Sequence, residues 1–204
     1  MVVKKHHSIS YIINRLRQKL FEYQNPDVPW MTQRSIELLD QLINSNDMGV
    51  EYGSGRSTFW FAKRCKHLTS YENNAKWFTI VSSKIATLTN VRYELLALDA
   101  HPTHSTYYNS ILNFKNESLD FIVIDGKYRD LIAIEAIEKL KTGGILIFDN
   151  AERYLPNKYN VPESIGNDSE KVSVQMKQFV KATENWRKIW TTNGVTTTLL
   201  MFKK

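Results

Sequence analysis

One cysteine, Cys65, stands alone in 204 residues. No internal disulfide can form, and the chain reads as suited to a reducing, cytoplasmic setting. With a single cysteine and five scattered histidines, ligands for a structural zinc site are too few. No apolar run approaches the ~20 residues needed to span a bilayer. The opening stretch 1–10, MVVKKHHSIS, lacks the apolar run and small-residue cleavage site of a signal peptide, again pointing to the cytoplasm. Also missing are a Gly-Lys-Ser/Thr phosphate loop, an arginine-rich tail and any recognisable RNA-binding module. What remains is ordinary for one globular domain: 42% hydrophobic and 24% charged residues. The net charge is +6, with local excess at Lys4, Lys5, Arg15, Arg17, Lys19, Lys63, Arg64 and Lys66. Such charge fits either solvated helix faces or an anionic partner such as nucleic acid.

The informative stretch is 48–58, MGVEYGSGRST. Met48, Val50 and Tyr52 suit a short buried strand. Gly53 and Gly55 allow a tight turn, and Ser57 and Thr58 open a helix through Ala62. Two glycines remove Cβ atoms that would hold a ligand away from the backbone, and a helix start adds unpaired N–H groups. A dinucleotide fingerprint needs a third glycine where Thr58 stands. An acid, Glu51, precedes the turn instead, and it suits a ligand that is cationic and carries no pyrophosphate. S-adenosylmethionine, with an ammonium and a sulfonium, meets that description.

Along the chain, Ile9, Ile13, Leu16 and Leu20 recur at helical spacing over residues 8–23, which predicts an amphipathic helix with Arg15 and Lys19 outward. Pro26 and Pro29 break it. Thr32 caps a second helix with Ile36, Leu39, Leu42 and Ile43 inward. After the glycine turn the helix is expected to end near Lys66, and His67 to Tyr71 forms the next strand. Glu72 stands at its end, 17 residues past Gly55, where an acid can bind both ribose hydroxyls; it can equally cap a helix over residues 73–87. Trp77, Ile80, Val81 and Ile85 form that helix's apolar face. Val91 to Leu98 predicts a strand ending in Asp99-Ala100. Leu119 to Ile124 is apolar almost throughout, as in a strand buried on both faces, and leads into Asp125-Gly126-Lys127. A helix over 131–140 is expected to stop at Gly143-Gly144, before a strand from Ile145 to Phe148 and then Asp149-Asn150. The polar stretch 151–168 reads as a long loop, a lid or a disordered segment. A helix over 172–183 precedes two strands, over 186–192 and 195–202, that flank Asn193-Gly194, a strong hairpin signal.

Alternating strands and helices predict an α/β fold with a Rossmann-like, seven-stranded, mostly parallel sheet. Helices cover both faces, and a C-terminal antiparallel hairpin closes the sheet. Two extra N-terminal helices within residues 1–44 pack on a core of residues 45–204.

Four segments carry a resemblance: EYGSGRST (51–58), SYEN (70–73), DFIVIDGKYR (120–129) and KTGGILIFDN (141–150). In order and spacing they resemble class I S-adenosylmethionine-dependent methyltransferases. DVPWMTQRSI (27–36) is similar to a stretch in small bacterial members. The resemblance implies that Glu51, Gly53 and Gly55 surround the methionine part of the cofactor, with polar contacts from Ser54, Ser57 and Thr58. Glu72 holds the ribose, Asp99 and Ala100 lie beside adenine, Asp125 lies near the cofactor amine, and Trp30 lines the methionine end. It is also similar to catechol-type O-methyltransferases, in which Asp125, Asp149 and Asn150 would bind magnesium or calcium; a metal-free reading of these residues stands beside it. That group's proposed basic lysine falls at Tyr128 here, which leaves Lys127 with Asp125 as catalytic candidates. The implied activity is methyl transfer to a small acceptor, at oxygen: a sugar, a polysaccharide precursor or a phenol. An RNA methyltransferase and a non-catalytic cofactor-binding protein remain alternatives, and the oligomeric state is open.

Overall fold

A computed structural model describes residues 8–204, so Lys4 and Lys5 lie outside the described residues. The elements run α1 (Ile9–Gln24), α2 (Gln33–Leu42), β1 (Met48–Tyr52), α3 (Arg56–Ala62), β2 (His67–Glu72), α4 (Ala75–Ile85) and β3 (Val91–Leu95). There follow α5 (Thr106–Asn109), β4 (Leu119–Ile124), α6 (Arg129–Lys139), β5 (Leu140–Asp149), α7 (Val174–Ala182), β6 (Arg187–Thr192) and β7 (Thr197–Phe202). The seven strands form one sheet in the order β3-β2-β1-β4-β5-β7-β6. The first five strands run parallel, and β7 is antiparallel to both β5 and β6. This is the Rossmann-like sheet with a terminal hairpin that the sequence predicts.

The continuous apolar run of β4 buries both faces. Ile122 and Ile124 join one core with Ile132, Ala136 and Phe179 of α6 and α7, and Phe121 and Val123 join the other with Ile36, Leu39 and Phe61 of α2 and α3. Phe61 stacks on Phe121 at 5.2 Å between ring centres. Gly49 makes room for that ring, because a Cβ there would lie 2.0 Å from Phe121. Reversal of strand order at β1, with β2 on one side and β4 on the other, opens a crevice at the carboxyl ends of β1 and β4. Among the described residues, no helix is long and apolar enough to cross a membrane.

Several local expectations are corrected. The amphipathicity of α1 is inverted. Ile9, Ile13, Leu16 and Leu20 are exposed, Leu16 by 63%, and the helix buries no residue fully. The half-buried side holds Tyr11, Asn14, Arg15 and Gln18 instead. Hydrophobic spacing shows that a helix is amphipathic but not which face meets the protein; here only Phe21, near the end of α1, packs on the apolar core. Leu42 and Ile80, expected inward, are exposed. The helix after the glycine turn ends at Ala62 rather than near Lys66. Gly143-Gly144 does not end a helix but lies inside β5, at an irregularity in the β4–β5 pairing. Tertiary pairing carries the strand through residues that favour turns. β3 stops at Leu95, so Asp99 lies beyond it in irregular backbone. The 151–168 segment is tied down. Asn157 donates to the carbonyls of Glu152 and Leu155, and Leu155 and Val161 are buried.

Candidate active site

Gly53 sits where β1 leaves the sheet with φ +91°. A Cβ there would lie 2.8 Å from the Asp125 carbonyl carbon and the Gly126 nitrogen, so only glycine lets the two strand ends approach. Gly55 is different. Its φ of 170° is extended, and a Cβ would meet nothing nearer than Trp77 at 3.8 Å. Neither backbone nor packing requires glycine there, since a Cβ would make only ordinary contacts with Trp77 and Ser57.

Beneath the turn lies Glu51, with no solvent exposure. Its Oε2 accepts from Thr58 Oγ1 (2.6 Å) and Ser70 Oγ (2.7 Å), and Thr58 Oγ1 accepts in turn from the Gly55 amide (3.0 Å). Oε1 is buried and makes no hydrogen bond of acceptable geometry. The Ser57 hydroxyl is nonetheless close enough to favour the ionised form. Burial dominates and pushes the Glu51 carboxyl up to about 7, against the pull of Ser57, Thr58 and Ser70. An unpartnered acceptor in a buried carboxyl costs stability unless a donor arrives. Together with the needless glycine, it fits a ligand that brings a cationic donor, such as the ammonium of S-adenosylmethionine.

Glu72 ends β2 and is fully engaged. Oε2 accepts from the Ser54 amide (3.2 Å) and Ser54 Oγ (2.7 Å), and Oε1 accepts from the amides of Asn73 and Asn74 (2.8 Å each). It therefore pins the glycine turn to the start of α4, whose side-chain cap is Asn74. Tyr93 OH meets Ser54 Oγ at 2.7 Å, and Trp77 Nε1 donates to the Ser54 carbonyl at 2.6 Å. Trp30 is half-exposed, stacks on Trp77 at 5.9 Å and lies under the Arg56 guanidinium. Glu51, Gly53, Ser54, Gly55, Ser57, Thr58, Glu72 and Trp30 thus surround one turn. Asp99 and Ala100 are exposed, and Asp99 is held through its backbone by Tyr128 OH. Lys127 is exposed.

Asp125 extends from the end of β4. Its Oδ1 pairs with Arg129 Nη2 at 2.8 Å, while its side chain keeps 35% of its surface open. Crowding by protein atoms raises its carboxyl above the usual range, with Arg129 opposing. The residual exposure leaves that desolvation incomplete. Asp149 is 2% exposed and accepts from Thr198 Oγ1 at 2.7 Å. Burial first, and then repulsion from Asp125, raise its carboxyl well above the ordinary range, favouring the neutral acid. Among the described residues, no group of three or more His, Cys, Asp or Glu side chains is placed to hold a metal ion. The trio Asp125, Asp149 and Asn150 does not fit a magnesium or calcium site, because the Asp149 carboxyl is engaged by Thr198 and the other two side chains already bind Arg129.

Arg129, Tyr93 and the contact of Trp77 with Ser54 are not foreseen by sequence reasoning. Arg129 had one legible signal, its position four residues after Asp125 at the start of a helix. Beside the cradle, a polar cavity of about 260 Å³ is lined by Tyr11, Arg15, Gln18, Trp30, Asn150, Glu152, Arg153 and Glu163, among others. It shares Trp30 and Asn150 with the residues above. A larger cavity of about 360 Å³, around Tyr71, Arg92, Asn109 and Phe114, shares none of them.

No protein-family model and no curated protein matches the sequence. Solved structures do match in fold. A proposed caffeoyl-CoA O-methyltransferase from Staphylococcus aureus superposes with TM-score 0.61 at 19% identity, covering 98% of this chain and 94% of its own. A proposed methyltransferase from Streptococcus mutans, solved in complex with SAH, gives 0.56 at 18% identity over 85% and 100% of the two chains. An rRNA methylase from Streptococcus thermophilus gives 0.53 at 14% identity over 84% and 94%. At these identities the likeness establishes the Rossmann-like methyltransferase fold, and function has to be argued from the site.

Proposed function

We propose that the protein transfers a methyl group from S-adenosylmethionine to a hydroxyl of a small polar acceptor. The observation that carries the reading is the buried Glu51 carboxyl with one oxygen unpartnered, directly beneath a glycine turn. When bound, S-adenosylmethionine supplies an electrophilic methyl on a sulfonium. Glu51 Oε1 would then accept from the ammonium and Gly55 would let the ligand lie against backbone, while Glu72 keeps the turn in place through Ser54. Glu72 reaches a ribose only by exchanging one of its present partners. The adjoining cavity offers donors and acceptors in Arg15, Gln18, Asn150 and Glu163, beside the indole of Trp30. Its size and polarity favour a sugar-like or similarly hydroxylated acceptor over a large planar one.

Chemistry asks little more of the chain. With S-adenosylmethionine bound, transfer of its methyl from sulfur to an acceptor oxygen would ask the chain mainly for positioning, which supplies much of the acceleration. The open oxygen of Asp125 receives the hydroxyl proton, a role suited to a carboxylate whose affinity for protons is raised. Lys127, facing solvent, is the weaker candidate. The test is formation of S-adenosylhomocysteine from S-adenosylmethionine with monosaccharides, sugar nucleotides, catechols and ribosomal RNA in parallel. Turnover with hydroxylated small molecules that falls at least ~100-fold in Asp125→Ala supports the reading. Turnover with RNA alone moves it to the RNA class that the basic surface also permits. Cofactor binding without turnover on any acceptor leaves the non-catalytic alternative.

A further inference from the structure

Two of the three side chains expected to bind a divalent cation, Asp125 and Asn150, meet beside the carbonyls of residues 125, 126 and 149, but a side chain of the protein has taken the central place. Arg129, at the first position of α6 and only 11% exposed, spreads its guanidinium across the ends of β4 and β5. Nη2 donates to the Asp125 carbonyl (2.7 Å) and to Asp125 Oδ1 (2.8 Å). Nη1 donates to the Asp149 carbonyl and to Asn150 Oδ1 (3.3 Å), and Nε donates to the Gly126 carbonyl (3.0 Å). A guanidinium has five N–H groups, so every one is used, and all five acceptors are oxygens of the kind a hard cation selects.

We propose that Arg129 is a built-in replacement for a divalent cation, a positioning residue that orients Asp125 and Asn150 and makes the site independent of metal. The backbone supports this placement. Tyr128 and Asn150 both adopt left-handed conformations, with φ of 50° and 49°. They turn the chain just before Arg129 and just after Asp149, and carbonyls 125, 126 and 149 all accept from the one guanidinium. Non-glycine residues occupy that region at a cost, met here by the convergence of five acceptors on one fixed positive charge. With no N–H to spare, Arg129 does not bind an acceptor itself. Asp125 is left with one oxygen directed elsewhere. The inference goes beyond the methyl-transfer reading and does not depend on it, because cation binding and thermal stability are measurable without turnover.

The experiment titrates Mg²⁺, Ca²⁺ and Mn²⁺ into wild-type protein and Arg129→Ala by calorimetry, with thermal unfolding followed in parallel. Wild type is expected to bind none of the three and to unfold at the same temperature with EDTA. Arg129→Ala should unfold lower and regain at least ~4 °C at saturating Ca²⁺ or Mg²⁺ as the ion enters the vacated oxygens. Arg129→Ala/Asp125→Asn should lose that response, which a merely structural role for Arg129 would not explain. Arg129→Gln carries the same comparison if the alanine variant does not fold. Cation binding by wild type that is abolished in Asp125→Asn overturns the proposal. So does a folded Arg129→Ala or Arg129→Gln that is indifferent to all three ions.

Discussion

Replacing Glu51 by glutamine changes one atom's chemistry and leaves the shape, so its consequences can be worked out in advance. In the folded protein without ligand the Glu51 carboxyl is pushed up to about 7, from 4.5. Between those values the folded chain holds a proton that the unfolded chain has released. Stability from this group is therefore complete below about 4.5 and is lost as pH rises through about 7. The full loss is about 3 kcal/mol, at ~1.4 kcal/mol per unit. Ligand binding runs the other way. If the cofactor ammonium needs the carboxylate, only about one Glu51 in ten is ionised at pH 6, and affinity for S-adenosylhomocysteine should fall about tenfold from pH 8 to pH 6. In Glu51→Gln, the amide oxygen still accepts from Thr58 and Ser70. The variant should keep its fold, lose most of the pH slope in stability and bind S-adenosylhomocysteine weakly at every pH. Calorimetry at pH 6, 7 and 8, with urea unfolding at the same values, reads both effects. Undiminished affinity in Glu51→Gln, or a wild-type affinity indifferent to pH, refutes the reasoning. A slope that survives in Glu51→Gln but vanishes in Asp125→Asn assigns the titration to Asp125.

Two further predictions follow from the same geometry. Gly53→Ala should destabilise the protein by about 2 kcal/mol or more, through its left-handed backbone and contact with residues 125 and 126, as denaturant unfolding will read. Glu72→Ala should lower both the unfolding temperature and cofactor affinity, because the Ser54, Asn73 and Asn74 amides lose one shared acceptor; Tyr93→Phe, which leaves Glu72 in place, should lower neither by much.

Much of this was legible in the chain because it depends on local residue chemistry. The apolar residues of β4 had to be buried on both faces, and they are, with only Asp120 half-exposed. The acid, the two glycines and the hydroxyls of 51–58 gather around one turn because strand, turn and helix are consecutive. Asn193-Gly194 turns the hairpin, with Gly194 at φ +78° and Asn193 Oδ1 accepting from the amides of Val195 and Thr196. Other features depend on distant partners. Gly143-Gly144 reads as a helix stop, yet backbone hydrogen bonds in both directions with Lys203, just past β7, hold it in a strand. The spacing in α1 was right and its orientation wrong, since the inward side, with Tyr11, Arg15 and Gln18 on the polar cavity and Phe21 on the core, is set by distant partners. The side chains of Asp125 and Asn150 and the carbonyl of Asp149 do converge, but on Arg129, and a guanidinium supplied from the next helix cannot be told from an empty metal site by counting carboxylates.

The most direct test of the central claim is calorimetric titration of S-adenosylhomocysteine into wild type and Gly55→Ala. A Cβ at Gly55 meets nothing closer than 3.8 Å in the protein itself. Wild type should therefore bind, Gly55→Ala should bind at least ~10-fold more weakly, and the two unfolding free energies should lie within about 1 kcal/mol of each other. Equal affinity in the two proteins, or no binding by folded wild type, would contradict it.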